Sequence, residues 1–95
     1  MPSPDPPEPK LQLGRTVATQ GAIAELTQPD IWKALSRHSN GDWGDVCAED
    51  GAANDAALRD GSRVLSSYRS AKGVRFWVIT EWDRSVTTVL LPSEY

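Results

Sequence analysis

The residues best suited to chemistry fall in two polar elements. The first is His38-Ser-Asn-Gly-Asp-Trp-Gly-Asp45, which sets the only histidine beside Asp42 and Asp45. Imidazole titrates near neutrality and carboxylates can orient it, so the trio has the makings of an acid/base pair or a metal cluster. One histidine with loop aspartates is a thin ligand set, because structural metal sites draw on more nitrogen or sulfur. The plainer reading is preferred: His38 closes a helix whose dipole suits it, and Asp42 hydrogen-bonds a turn flanked by Gly41 and Gly44. The second element is Thr80-Glu81-Trp82-Asp83-Arg84-Ser85, followed by Thr87 and Thr88. In a catalytic reading Glu81 and Asp83 are paired carboxylates and Arg84 holds an anionic substrate. In the plainer one Asp83 caps a hairpin turn and Arg84 pairs with Glu81 or Asp83 across it. Turn chemistry alone accounts for these residue types, and the plainer reading is again preferred.

Other reactive groups are sparse. Cys47 is the only cysteine, which excludes an internal disulfide and a multi-cysteine zinc site. Without a CxxC partner it reads as a plain buried thiol. Neither Ser66 nor Ser67 lies in a nucleophile elbow, and no phosphate-cradling glycine loop or zinc-finger spacing is present. No catalytic residue, metal or cofactor is therefore expected. The tryptophans carry more information. Trp43, between two glycines, reads as a core plug that closes its loop, since small domains bury their large aromatics. Trp82, in a turn, reads as exposed, and Trp and Arg dominate binding hot spots.

The net charge of −3 is unevenly spread. Residues 42–60 carry Asp42, Asp45, Glu49, Asp50, Asp55 and Asp60 against one base, Arg59. Residues 61–95 carry Arg63, Arg69, Lys72, Arg75 and Arg84 against three acids. The acidic middle repels phosphate, which argues against nucleic acid wrapping the whole surface. A local basic face remains open to it.

The elements that must position these groups belong to one small domain. Ninety-five residues at 39% hydrophobic and 24% charged is ordinary globular material. A core of this size is modest, so a homodimer is a live alternative to a monomer. Met1 leads into PSPDPPEPK with neither a basic start nor an apolar run, which predicts no secretory leader and a cytoplasmic location. No stretch is apolar for long enough to span a membrane. Residues 1–10 hold five of the seven prolines and read as a disordered tail. Residues 11–95 form the domain. A short edge strand is expected over 11–17 and a helix over 21–26, with Ala22, Ile23 and Leu26 on its apolar side. Thr27-Gln-Pro-Asp30 resembles a capping box, and Ile31, Trp32 and Leu35 then repeat at helical spacing, which predicts a helix over 29–38 with that stripe inward. A third helix runs from Ala48 to Asp60 and stops at Gly61. Strands follow over 63–69, 74–81 and 86–91, joined by short connections. The expected fold is α+β: two or three short helices on a small antiparallel three-stranded meander, with an extra N-terminal edge strand.

Beyond these elements, GDWGD, Asn54, Gly61, Arg63 with LSSY, and the closing W-x-I-T-E-x-D-R-S-x-T-T-x-L-L-P-x-E-Y form a longer pattern. Together with LGRTVAT at 13–19 it resembles a family of small bacterial plasmid-related proteins. The resemblance covers everything after the tail and implies a passenger of plasmids, integrated elements or phages, without implying an activity. The alanine-rich helix over 51–57 departs from the more heavily charged helix of that family. Three functions follow in order of preference. The first is a non-enzymatic interaction protein, in its sharpest form a counter-defence inhibitor of a host CRISPR–Cas or restriction complex. Its partner surface would draw on Asp42, Trp43, Asp45, Asp50, Asp55 and Asp60, with Trp82, Asp83 and Arg84 beside them. The second is a small hydrolase-like enzyme using His38, Asp42, Glu81 and Asp83, which requires loops 39–46 and 81–85 to converge. The third is a nucleic-acid-binding accessory using Arg63, Arg69, Arg75 and Trp77 on one sheet face.

Overall fold

A computed structural model describes residues 9–95. The tail expected over 1–10 lies outside the described residues, apart from Pro9 and Lys10. Threonines open the first two helices. Thr19 Oγ1 accepts the Ala22 N–H at 3.2 Å and starts α1, Gln20–Glu25. Thr27 starts α2, Gln28–Ser39, through the expected capping box: its hydroxyl accepts the Asp30 N–H and the Asp30 carboxylate takes the Thr27 N–H. Pro29 occupies the first turn, where its missing donor costs nothing. The third helix, α3, runs Ala48–Asp60 and ends at Gly61 in the left-handed region, φ 81°.

Two side chains read as inward-facing point outward. Along α2 the core-facing set is Ile31, Ala34, Leu35 and His38, an i, i+3, i+4, i+7 stripe. Trp32 stands about 100° round the helix from Ile31 and is 64% exposed. On α1 Ala22 and Leu26 are buried, whereas Ile23 is 62% exposed.

The meander exists as β2 (Val64–Arg69), β3 (Arg75–Thr80) and β4 (Val86–Leu90), paired antiparallel. It is three quarters of a larger sheet. A four-residue strand, β1 (Arg15–Ala18), pairs with β4 in parallel, so the sheet is four-stranded and mixed, in the order β1-β4-β3-β2. The edge strand expected over 11–17 begins only at Arg15, because residues 11–14 are tied elsewhere. The Leu11 N–H donates to the Ser39 carbonyl at 3.1 Å, and the Leu13 carbonyl accepts from Thr87. Gly14 makes the intervening step, at φ +63°; a Cβ there would sit 2.3 Å from the Arg84 carbonyl oxygen.

Strand alternation divides the sheet as the sequence pattern predicts. Tyr68, Phe76, Val78 and Val89 meet Ala22, Leu26 and Ala34 on the inner face. Leu11, Trp43, Ala57 and Val64 form a second buried cluster. Helix α3 flanks the edge of β2, where Asn54 acts as a surrogate strand residue. Its Nδ2 donates to the Leu65 carbonyl at 2.8 Å and its Oδ1 accepts the Leu65 N–H at 3.3 Å. The loop beside it continues this pairing through Ser67 N–H to the Trp43 carbonyl and Asp45 N–H to the Ser67 carbonyl. The edge of β2 is thereby closed. At the other edge Arg15, Thr16 and Val17 of β1 are exposed.

Candidate functional site

The histidine is the centre of a buried polar chain rather than of an open site. His38 is fully buried, its Nδ1 is 2.5 Å from Ser66 Oγ, and its Nε2 is 2.9 Å from Thr80 Oγ1. Thr80 Oγ1 lies 2.7 Å from Thr87 Oγ1, and the Thr87 hydroxyl donates to the Leu13 carbonyl at 2.7 Å. A carbonyl only accepts, and each hydroxyl has one proton, so the polarity of the chain is determined. Thr87 spends its proton on Leu13, Thr80 donates to Thr87, and His38 must donate Nε2–H to Thr80. In the neutral ring that burial favours, Nδ1 is then the acceptor for the Ser66 hydroxyl. Burial lowers the imidazole pKa to about 4, with the nearby Arg84 charge as the lesser cause. Both nitrogens are occupied, so His38 has none to offer to a metal or a substrate.

The rest of loop 39–46 is equally committed. Asp42 takes Arg37 Nε at 2.7 Å and Nη2 at 3.1 Å, and accepts the Gly44 N–H. The Arg37 guanidinium holds the Asp42 carboxyl below the usual carboxylate range. Arg37 also lies over the Tyr68 ring, whose hydroxyl donates to the Asp42 carbonyl at 2.6 Å. Trp43 is buried as the plug of the loop, edge-on to His38, and its Nε1–H donates to Asp55 at 2.9 Å. Gly44 is the hinge of this arrangement: at φ +72° its Cα lies against β2, and a Cβ would fall 2.0 Å from the Ser67 carbonyl oxygen. Asp45 is exposed, 3.8 Å from Arg69.

The 81–85 hairpin is also built for structure. Asp83 caps the turn by accepting the Ser85 N–H and hydroxyl, which lowers its pKa. Arg84 pairs with neither Glu81 nor Asp83 through their carboxylates. Its guanidinium donates to the backbone carbonyls of Ser62 (2.6 Å), Ala57 (2.8 Å) and Glu81 (3.2 Å), so it ties the hairpin to the C-terminal end of α3. A cation there also suits the helix dipole. Arg84 does this from a left-handed backbone, φ 59°. Among the described residues, no hydrogen bond or ion pair joins loop 39–46 to hairpin 81–85. The loop docks on the edge of β2 at Ser67, whereas the hairpin lies beyond the far end of β3. Among the described residues, no group of three or more His, Cys, Asp or Glu side chains lies close enough to hold a metal ion.

The acids of α3 are dispersed. Asp50, Asp55 and Asp60 recur every five residues, which places them about 140° apart around a helix rather than on one face. Asp55 is engaged by Trp43, and Asp60 caps Ser62 through its N–H and hydroxyl. Cys47 is exposed at the start of α3 rather than buried.

What the sequence reading missed is the apolar surface. Trp32 separates two hollows. One, of about 340 Å³, is lined by Ile23, Leu26, Gln28 and Ile31; the other, of about 150 Å³, runs past Val17, Ala18 and Leu35 along β1. Trp82, in contrast, is exposed in its turn as expected, at 69%. The signal for Trp32 was present, because the stripe Ile31, Ala34, Leu35, His38 excludes position 32 and includes the histidine. A cleft of about 370 Å³ between α2 and the β2–β3 turn is rimmed by Lys33, Arg37 and Arg69, and the two arginines already face Asp42 and Asp45. Among known proteins the chain finds no significant match to a family model, a curated protein or a solved structure. Among the described residues no helix is long and apolar enough to cross a membrane.

Proposed function

We propose that this is a non-enzymatic interaction protein of a mobile element, a counter-defence inhibitor that docks on a host CRISPR–Cas or restriction complex. The observation that carries the binding reading is the surface around Trp32. A 64%-exposed tryptophan next to a 62%-exposed isoleucine is costly to leave in water for a domain with so small a core. It lies beside the outward edge of β1, so a partner can add both apolar contacts and main-chain hydrogen bonds. The mobile-element assignment rests on the sequence pattern from GDWGD to the terminal LLP-x-EY. Charge mimicry by α3 is the weaker form of the idea, since its acids do not share a face.

The test is protection of a targeted plasmid. Cells with an active CRISPR–Cas or restriction system are transformed with that plasmid while expressing the protein or its Trp32→Asp variant. The expected result is rescue by the wild type, loss of rescue by the variant at equal protein level, and a complex with the purified effector on gel filtration. Rescue untouched by Trp32→Asp refutes the surface. No rescue in any system tested, or a Trp32-dependent homodimer as the only complex, refutes the inhibitor reading.

A further inference from the structure

We propose that the outer face of the sheet binds single-stranded nucleic acid, with arginines on the phosphates and Trp77 and Tyr95 against the bases. This face lies apart from Trp32, and the inference stands without the reading above. The alternation that buries Tyr68, Phe76 and Val78 sends Arg69, Arg75 and Trp77 to the other side. Helices α1 and α2 serve the inner cluster and α3 the edge of β2. The outer face is left to the C-terminal turn Pro92–Glu94 and Tyr95.

Three observations select the ligand. First, Arg69 and Arg75 are directly opposite in the β2–β3 register. Like charges at such a pair repel, which a fold keeps only at a cost. Arg75 donates to the neutral Ser67 hydroxyl at 3.1 Å, and Arg63 to the Tyr95 hydroxyl at 2.7 Å. Among the described residues the ion pairs are Arg37–Asp42 and Arg69–Asp45, so Arg63 and Arg75 have no carboxylate. Second, the face carries flat rings. Trp77 is half-buried, and the exposed Tyr95 meets it edge-on, centroids 5.7 Å apart, with the Arg63 guanidinium over the Tyr95 ring at 5.5 Å from its centroid. Bases stack on such rings whatever their sequence, and Arg adds cation–π attraction. Third, Arg63 and Arg69 are six residues apart along one extended segment, about 20 Å, with the rings between them. That layout follows the backbone of an extended strand. A duplex keeps its bases stacked away from a flat sheet, so single strands are selected. Asp45, 3.8 Å from Arg69, and Asp50, which lines a hollow with Arg63, flank the face and keep the affinity modest.

The test is fluorescence anisotropy with fluorescein-labelled oligo(U) and oligo(dT) of about ten nucleotides, the site size of a small sheet domain. Dissociation constants within about 10⁻⁴–10⁻⁶ M are expected. With three phosphate contacts, a fourfold rise in salt should weaken binding roughly twentyfold. Tyr95→Ala should weaken it about tenfold through lost stacking. Arg75→Gln should weaken it while leaving the urea midpoint unchanged or higher, because it removes the repulsion with Arg69. The proposal is overturned by silence up to about 100 µM, by equal binding of the matching duplex, or by binding indifferent to Tyr95→Ala. Equal affinity for heparin, a polyanion without bases, overturns it as well.

Discussion

Lowering the pH should unfold this protein through one residue before its carboxylates respond. His38 is held neutral at a pKa of about 4 against 6.5 for a free imidazole, chiefly by burial and secondarily by the Arg84 charge. A depressed histidine binds its proton more tightly in the unfolded chain, so acid favours unfolding. The stability that neutral His38 supports is complete above pH 6.5 and drains as the pH falls toward 4. Each pH unit in that window costs about 1.4 kcal/mol, so about 2 kcal/mol is gone by pH 5 and about 3 kcal/mol by pH 4. The depressed carboxylates of Asp30, Asp42 and Glu94 start from ordinary values of 3.8 to 4.5 and lose their contribution only below those values. The interval from pH 7 to pH 5 therefore isolates the histidine. Urea titrations followed by tryptophan fluorescence should show the midpoint falling by about 1–2 M across it. Trp43, edge-on to the imidazole, is placed to report the change. His38→Gln keeps a donor for Thr80 and an acceptor for Ser66 but cannot titrate, so its midpoint should stay level over the same interval. A level wild-type midpoint, or an equal fall in the variant, refutes the reasoning.

Two further outcomes follow from the same geometry. Arg84→Ala removes charge-assisted hydrogen bonds to Ser62, Ala57 and Glu81 and should cost about 2 kcal/mol by urea denaturation; a loss below about 0.5 kcal/mol, the scale of a neutral surface change, refutes the anchoring role. Gly44→Ala forces a Cβ onto the Ser67 carbonyl and should cost about 4 kcal/mol or prevent folding, whereas Gly73→Ala, at φ +87° with open space around it, should cost only about 1–2 kcal/mol of backbone strain. Paired thermal melts check the difference, and equal losses at the two sites would show that the contact with β2 is immaterial.

The local pieces are legible in the sequence. Thr27 and Asp30 announce the start of α2, Gly61 announces the end of α3, and Asp83 and Ser85 announce their turn, because each acts on backbone groups within one helical turn. Alternation likewise assigned Tyr68 and Phe76 to one face of the strands and Arg69 and Arg75 to the other, since a pleat has a period of two. The remainder depends on long-range packing. The parallel docking of β1 on β4 joins residues some seventy positions apart, such as Arg15 and Val86, and four residues carry no local mark of their partner. In sequence His38 has the look of a reactive group, but Ser66 and Thr80, on different strands, occupy its two nitrogens, and Thr87 holds Thr80 in turn. Arg84 reads as a binding cation until the fold brings the end of α3 beneath it. A polar residue's role depends on which partners burial brings within about 3 Å. Burial is settled by the packing of the whole chain, which no local spacing encodes.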